Sequence, residues 1–261
     1  MNVNMTKNVK PRRQRRHLQK MSCLLLFLLF AITATGCMYQ SQSNPDPKIA
    51  YRESVSRIQT AVEAFQQDQG ILPMVNADME TPKYEKFRVD LSKLKQQGYL
   101  DEIPGTAFES GGSAYFLIQD EEVNPTVKVM DLQTVQKVND VQRMVNQYKS
   151  VHNNQLPSGE ELYPGLYAVD MEQAAQAGAP SVTLNSVYSG QELPFMMDDE
   201  GNVYVDYAFD IMQAIEKSDS LPTKMEDMRE FLLEHSYFVP VKSVAYTWQN
   251  NTPVAKSNNE S

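Results

Sequence analysis

Cysteine is nearly absent from this 261-residue chain: Cys23 and Cys37 are the only two. Everything after residue 37 therefore holds no disulfide, no catalytic thiol and no cysteine-based metal site, and must be stabilised by packing. Histidine is almost as scarce. Beyond His17 there are only His152 and His235, far apart and without His/Cys metal spacing. A hydrolytic triad would need one of them beside an activated serine, yet no nucleophile-elbow motif accompanies either, so both read as surface histidines. Long apolar runs are missing too. Met21 to Ala34 gives 14 residues, short of the roughly 20 that a membrane span needs.

The first 36 residues lack acids altogether but supply Lys7, Lys10, Arg12, Arg13, Arg15, Arg16 and Lys20, then Leu24 to Phe30, then Ala34, Thr35 and Gly36 before Cys37. That order reads as a bacterial lipoprotein signal. Small residues let an extended backbone enter a peptidase cleft, and the Cys37 thiolate is the side chain nucleophilic enough to take a diacylglyceryl group. Ala34 stands where leucine is usual. Plain secretion with cleavage near Cys37 is the alternative. Arg15 and Arg16 faintly resemble a twin-arginine signal, but Gln19 departs from it, and a polybasic start held inside by its charge reads better. Several acyl chains, palmitate among them, would make attachment stable where one would not. The expected location is the extracytoplasmic face of the cell membrane, by lipid anchor.

Removing residues 1–36 takes away seven positive charges and no negative ones, so the formal charge falls from -9 to -16. Such an acidic balance argues against nucleic acid and against electrostatic docking on anionic head groups. The membrane is then a partner only through the anchor, beside an unknown protein or small molecule.

The expected fold class is α+β, in tandem modules of amphipathic helix, Leu-Pro loop, second helix and β-hairpin. The divisions are 1–36 signal peptide, 37–48 lipidated tether, 49–131 first module, 132–207 second module, 208–249 shortened third module and 250–261 disordered tail. In the first copy Ile58, Ala61, Val62 and Phe65 share a helix face before Gly70 and Leu72-Pro73. Val141, Met144, Val145 and Tyr148 precede Leu156-Pro157, and Phe209, Met212 and Ile215 precede Leu221-Pro222. After a variable loop, an aspartate opens a second helix: Asp90 and Asp170, eighty apart, with Asp227 in the third copy. Gly98 and Gly178 suit the left-handed ends of the first two.

Each full copy then closes in a hairpin. Tyr115 to Ile118 and Val127 to Met130 flank Asp120 to Pro125, while Pro194 to Met197 and Val203 to Tyr207 flank Asp199 to Asn202. Isolated hairpins are marginal in water, so these are expected to pair with one another or lie on the helices. Val244 to Trp248 could add a last strand.

Other candidates read as structure. Asp198, Asp199, Glu200 and Gly201 lack the alternating ligands and distant glutamate of a calcium loop, and a hairpin turn accounts for Gly201. No phosphate-loop lysine follows Gly105, Gly111 and Gly112. Methionines on the apolar faces read as core filling, and tyrosines near module ends as packing rather than a partner groove. No cofactor or metal is expected.

With Asp78-Met79-Glu80-Thr81-Pro82, Pro104-Gly105-Thr106-Ala107-Phe108-Glu109, Asn124-Pro125-Thr126-Val127-Lys128 and Val203-Tyr204-Val205-Asp206-Tyr207 in view, the chain resembles the YphF lipoproteins of Bacillus relatives. That family is itself uncharacterised, although some members carry a label as periplasmic-binding components of transporters. The resemblance implies a Gram-positive cell-membrane lipoprotein and transfers no catalytic residue. The helix starts with their Leu-Pro pairs are also similar to the opening of pseudopilin globular domains, without the pseudopilin processing signal. The expectation is a binding or scaffolding module, not an enzyme, with a solute-binding component of a transporter as the alternative and a wall-polymer hydrolase as a third class.

Overall fold

Helix α1 (Pro47–Gln69) forms where apolar residues recur every three or four positions, and it buries Val55, Ile58, Ala61, Val62 and Phe65. A computed structural model describes residues 47–175, 182–218, 222 and 227–257. Pro47 and Lys48, which the polar composition places in the tether, open α1 instead. Helix α2 (Leu91–Gln96) starts at Asp90, whose carboxylate accepts the Lys93 N–H at 2.9 Å. It stops at Gly98, which takes φ +83°. Strands β1 (Ala114–Gln119) and β2 (Thr126–Asp131) follow as an antiparallel pair, and β2 packs on α1.

Asp131 ends β2 and caps α3 (Leu132–Val151), accepting from the Thr134 N–H at 2.9 Å and its hydroxyl at 2.7 Å. Helix α3 buries Val138, Val141 and Val145. Strands β3 (Ser158–Tyr163) and β4 (Leu166–Val169), helix α4 (Met171–Ala174), and strands β5 (Phe195–Asp198) and β6 (Val203–Val205) come next. The strands form one antiparallel sheet in the order β3-β4-β5-β6. The chain ends through α5 (Ala208–Lys217), α6 (Glu230–His235) and a hairpin of β7 (Tyr246–Gln249) and β8 (Thr252–Ala255). The class is α+β. Residues from 46 onward make one compact unit.

Both expected hairpins form, each lying on a helix and belonging to a separate sheet. Five further expectations need correction. Asp227 does not cap the helix α6: Arg229 stands at the cap position without a side-chain bond, and the Asp227 carboxylate accepts from the Arg229 N–H at 3.1 Å. The variable loop after Leu156-Pro157 is strand β3: its polar residues are exposed at the sheet edge, so alternation does not mark it. The polar composition of 250–261 predicts disorder, yet Thr252–Ala255 is a strand, because Ala255 is buried in a core that Tyr246 also fills. In α5 the buried face is Asp210, Ile211 and Ala214, whereas Phe209 is 54% exposed. The expected third module makes no core of its own; Ile211, Met228, Phe231, Tyr246 and Ala255 join that of α3 and the four-stranded sheet. Gly178 lies outside the described residues.

Corresponding bonds hold the two halves together internally. Gln59 on α1 accepts from the Val127 N–H at 2.7 Å and donates to the Pro125 carbonyl at 3.0 Å. Gln142 on α3 accepts from the Val203 N–H at 2.8 Å and donates to the Gly201 carbonyl at 2.7 Å. The N–H groups of Asp90 and Asp170 donate to the Pro73 and Pro157 carbonyls, both at 2.8 Å. Bridges Met74↔Val89 and Arg88↔Leu117 extend outward from β1 in the order in which the β3-β4 and β4-β5 pairings extend outward from β5.

One core lies under α1, α2, β1 and β2, a larger one under α3, the four-stranded sheet and the C-terminal elements. A small third cluster of Tyr84, Leu117, Met130, Leu233, Val239 and Val241 lies where these parts meet. Residues 236–242 splice them. The Val129 N–H donates to the Tyr237 carbonyl at 2.7 Å, the Val239 N–H to the Val129 carbonyl at 2.9 Å, and the Val205 N–H to the Lys242 carbonyl at 2.8 Å. Lys83 pairs with Glu230, and Lys242 with Glu85 at 3.2 Å.

Candidate functional site

The start of α1, the side of α5 that carries Asp210, Gln213, Ala214 and Lys217, and the end of α6 converge on a groove of about 370 Å³. Its apolar lining includes Ile49, Val187, Tyr188, Ala214, Leu232 and Phe238. Lys48, Arg52, Lys217 and His235 bring basic side chains to the same groove, and all four are exposed. Among the described residues, Arg52, Lys217 and His235 meet no carboxylate in an ion pair. Lys48 Nζ lies 3.5 Å from the Tyr188 carbonyl, which it approaches as donor. Beyond Lys48 a second depression of about 400 Å³ shares Val187 and Phe238 and adds Tyr51, Asp131 and Lys137. Three uncompensated basic groups on one groove are notable in a chain this acidic.

Among the described residues the groove has one acidic lining residue, Asp210, only 2% exposed. The Ser186 hydroxyl donates to its Oδ2 at 2.7 Å, while Oδ1 has no hydrogen-bond partner. Burial pushes the Asp210 carboxyl above the usual range, the neighbouring Asp206 adds to that, and Ser189 and Ser186 oppose it. Ser186 Oγ in turn accepts from the Tyr188 N–H at 3.0 Å and the Ser189 N–H at 3.2 Å. Asp210 thus pins the turn that forms one groove wall. The Tyr188 hydroxyl ties that wall to the opposite one, donating to the Phe238 carbonyl at 3.2 Å.

The residues singled out by sequence pattern fall elsewhere. Cys37 and the recognition residues Ala34, Thr35 and Gly36 lie outside the described residues, as do the signal segment and the tether up to residue 46. His152 stacks on Tyr148 with ring centroids 3.8 Å apart, at the end of α3. His235 reaches the groove, which its sequence neighbours do not foretell. The Asp198 carboxylate is spent on its own turn, accepting from the Glu200 and Asn202 N–H groups at 3.0 and 2.8 Å. Gly201 takes φ +87° there, and a Cβ would sit 2.7 Å from Leu156 Cδ2. Among the described residues no group of three or more His, Cys, Asp or Glu is placed to hold a metal, and no helix is long and apolar enough to cross a membrane.

Methionines 196, 197 and 228 are fully buried, and the tyrosines are stitched into packing. Tyr246 and Tyr163 donate to the two oxygens of Asp206 at 2.8 and 2.9 Å, and burial raises both phenols far above their ordinary value. Sequence reasoning missed Asp210, Arg52 and Lys217. A signal existed for the first: Asp210 lies between Tyr207 and Ala214 on the buried side of its helix.

No curated protein and no solved structure matches the chain. Residues 51–131 match the YphF family N-terminal domain, a stretch that runs from α1 to the end of β2 and so coincides with the first core; over that stretch the chain is similar to that domain.

Proposed function

We propose that the protein is a membrane-anchored extracytoplasmic lipoprotein, fixed through Cys37, that acts as a binding or scaffolding module at the cell surface without catalysis. It presents two tandem modules, a reading supported by the paired glutamine clamps on Val127 and Val203. The observation that carries the binding role is the groove, where Arg52, Lys217 and His235 meet no carboxylate among the described residues and which the buried Asp210 also lines. Unpaired charge beside apolar surface is the composition of a site that waits for a complementary ligand.

A solute-binding component of a transporter is the second reading, favoured by the groove volume, which lies within the range of small-molecule sites. A thermal-shift screen of the full chain with sugars, peptides, amino acids and metals tests both. A ligand at a hundred times its Kd stabilises by about 2.7 kcal/mol, and the shift is expected to vanish in Arg52→Gln. A screen without any shift favours a protein partner and removes the transporter reading. Mass spectrometry of the native chain tests the anchor: a bare thiol at residue 37 would sink it.

A further inference from the structure

The groove asks for two chemistries at once. Its rim offers the exposed cations Arg52 and Lys217 beside His235, and none of the three meets a carboxylate among the described residues. Its inner wall holds Asp210, 2% exposed, with one oxygen bonded to Ser186 and the other unpartnered. A simple organic anion would satisfy the rim and leave Asp210 as it is. A cation would suit Asp210 and be repelled at the rim, and a sugar would leave the rim uncompensated. The same groove has an apolar lining that includes Ile49, Ala214, Leu232 and Phe238.

We propose that the groove binds a small zwitterion with an apolar body, an amino acid or short peptide, whose carboxylate meets Arg52 and Lys217 and whose ammonium donates to Asp210 Oδ1. This rests on the reading of the groove as a binding site. Oδ1 shows less than 1 Å² to water, so binding includes a small shift of the wall that uncovers it. That seclusion is what gives selectivity, since an analogue without the donor leaves a buried acceptor unpaired.

The test is calorimetric titration of the full chain, at low ionic strength, with three probes sharing one aromatic body: L-phenylalanine, 3-phenylpropionate and 2-phenylethylamine. Phenylalanine is expected to bind at least tenfold more tightly than phenylpropionate, and phenylethylamine not measurably. In Asp210→Asn, phenylalanine affinity should fall to the phenylpropionate level while phenylpropionate is unchanged. In the double variant Arg52→Gln, Lys217→Gln, both acids should lose at least tenfold. These two residues are exposed, so that arm stands even if the Asp210 variant fails to fold. Equal affinity for phenylalanine and phenylpropionate, measurable binding of phenylethylamine, or no binding of phenylalanine at millimolar concentration overturns the ligand class. If the groove then takes a sugar or a plain anion from the wider screen, the binding function survives without it; if no probe binds and groove variants change nothing in that screen, both fall.

Discussion

At Asp210 two effects oppose each other. Burial and Asp206 favour the protonated form, whereas the neighbouring Ser189 and Ser186 favour the charged one, and burial prevails. A carboxyl whose pKa is raised on folding binds its proton more tightly in the native state. Its contribution to stability is therefore most favourable below the unfolded value of about 3.9 and declines as pH rises toward the folded value. Asp210→Asn carries no such titration. Its melting temperature relative to the parent is expected to climb between pH 4 and pH 7, measured by parallel thermal melts; a constant difference across that range refutes the assignment. The sequence signal for the residue is easily overridden, because Phe209, Met212 and Ile215 suggest a different core face from that of Tyr207, Asp210 and Ala214. What decides the face is the buried ring of Tyr207 and the core it shares with Ile211 and Tyr246. The basic residues of the groove are equally hidden, since positions 52, 217 and 235 become neighbours only through folding.

Among elements, the helix-to-hairpin clamps are the most testable. Gln142 satisfies one N–H and one carbonyl around the start of β6, and Gln59 does the same near the start of β2. Gln142→Leu keeps the volume roughly and removes both partners, so a loss of about 2 kcal/mol in urea unfolding is expected. Gln142→Glu retains the acceptor for Val203 but not the donor for Gly201, and should fall between. If the leucine variant unfolds like the parent, the clamp is not what seats the hairpin. Helices α1 and α3 are readable because their period is written in one segment, as are the hairpins, whose turns carry Asp, Asn and Gly. Strand β3 is not: Ser158 to Glu161 is exposed throughout, and its extended form comes from pairing with β4 rather than from its own preference.

At the scale of the whole molecule, the C-terminal stretch completes the larger core. Ala255 is 3% exposed, β8 packs on α5, and the Lys256 N–H donates to the Ala245 carbonyl at 2.8 Å. Deleting residues 250–261 should therefore cost about 2 kcal/mol or more, by urea titration, because it strips a strand from the larger core. A change within about 0.5 kcal/mol would mean that the tail is dispensable, as its polar composition suggests.

The stretch from Ser236 to Lys242 has a double duty. Ser236, Tyr237 and Phe238 wall the groove, while Tyr237 and Val239 are bonded to Val129 and Lys242 to Val205. Whatever leans on Phe238 thus pulls on a strand in each half. Occupancy becomes a lever: filling the groove should slow amide exchange at Val129 and Val205, turning a local docking event into a signal that either half of the molecule can display to a neighbour.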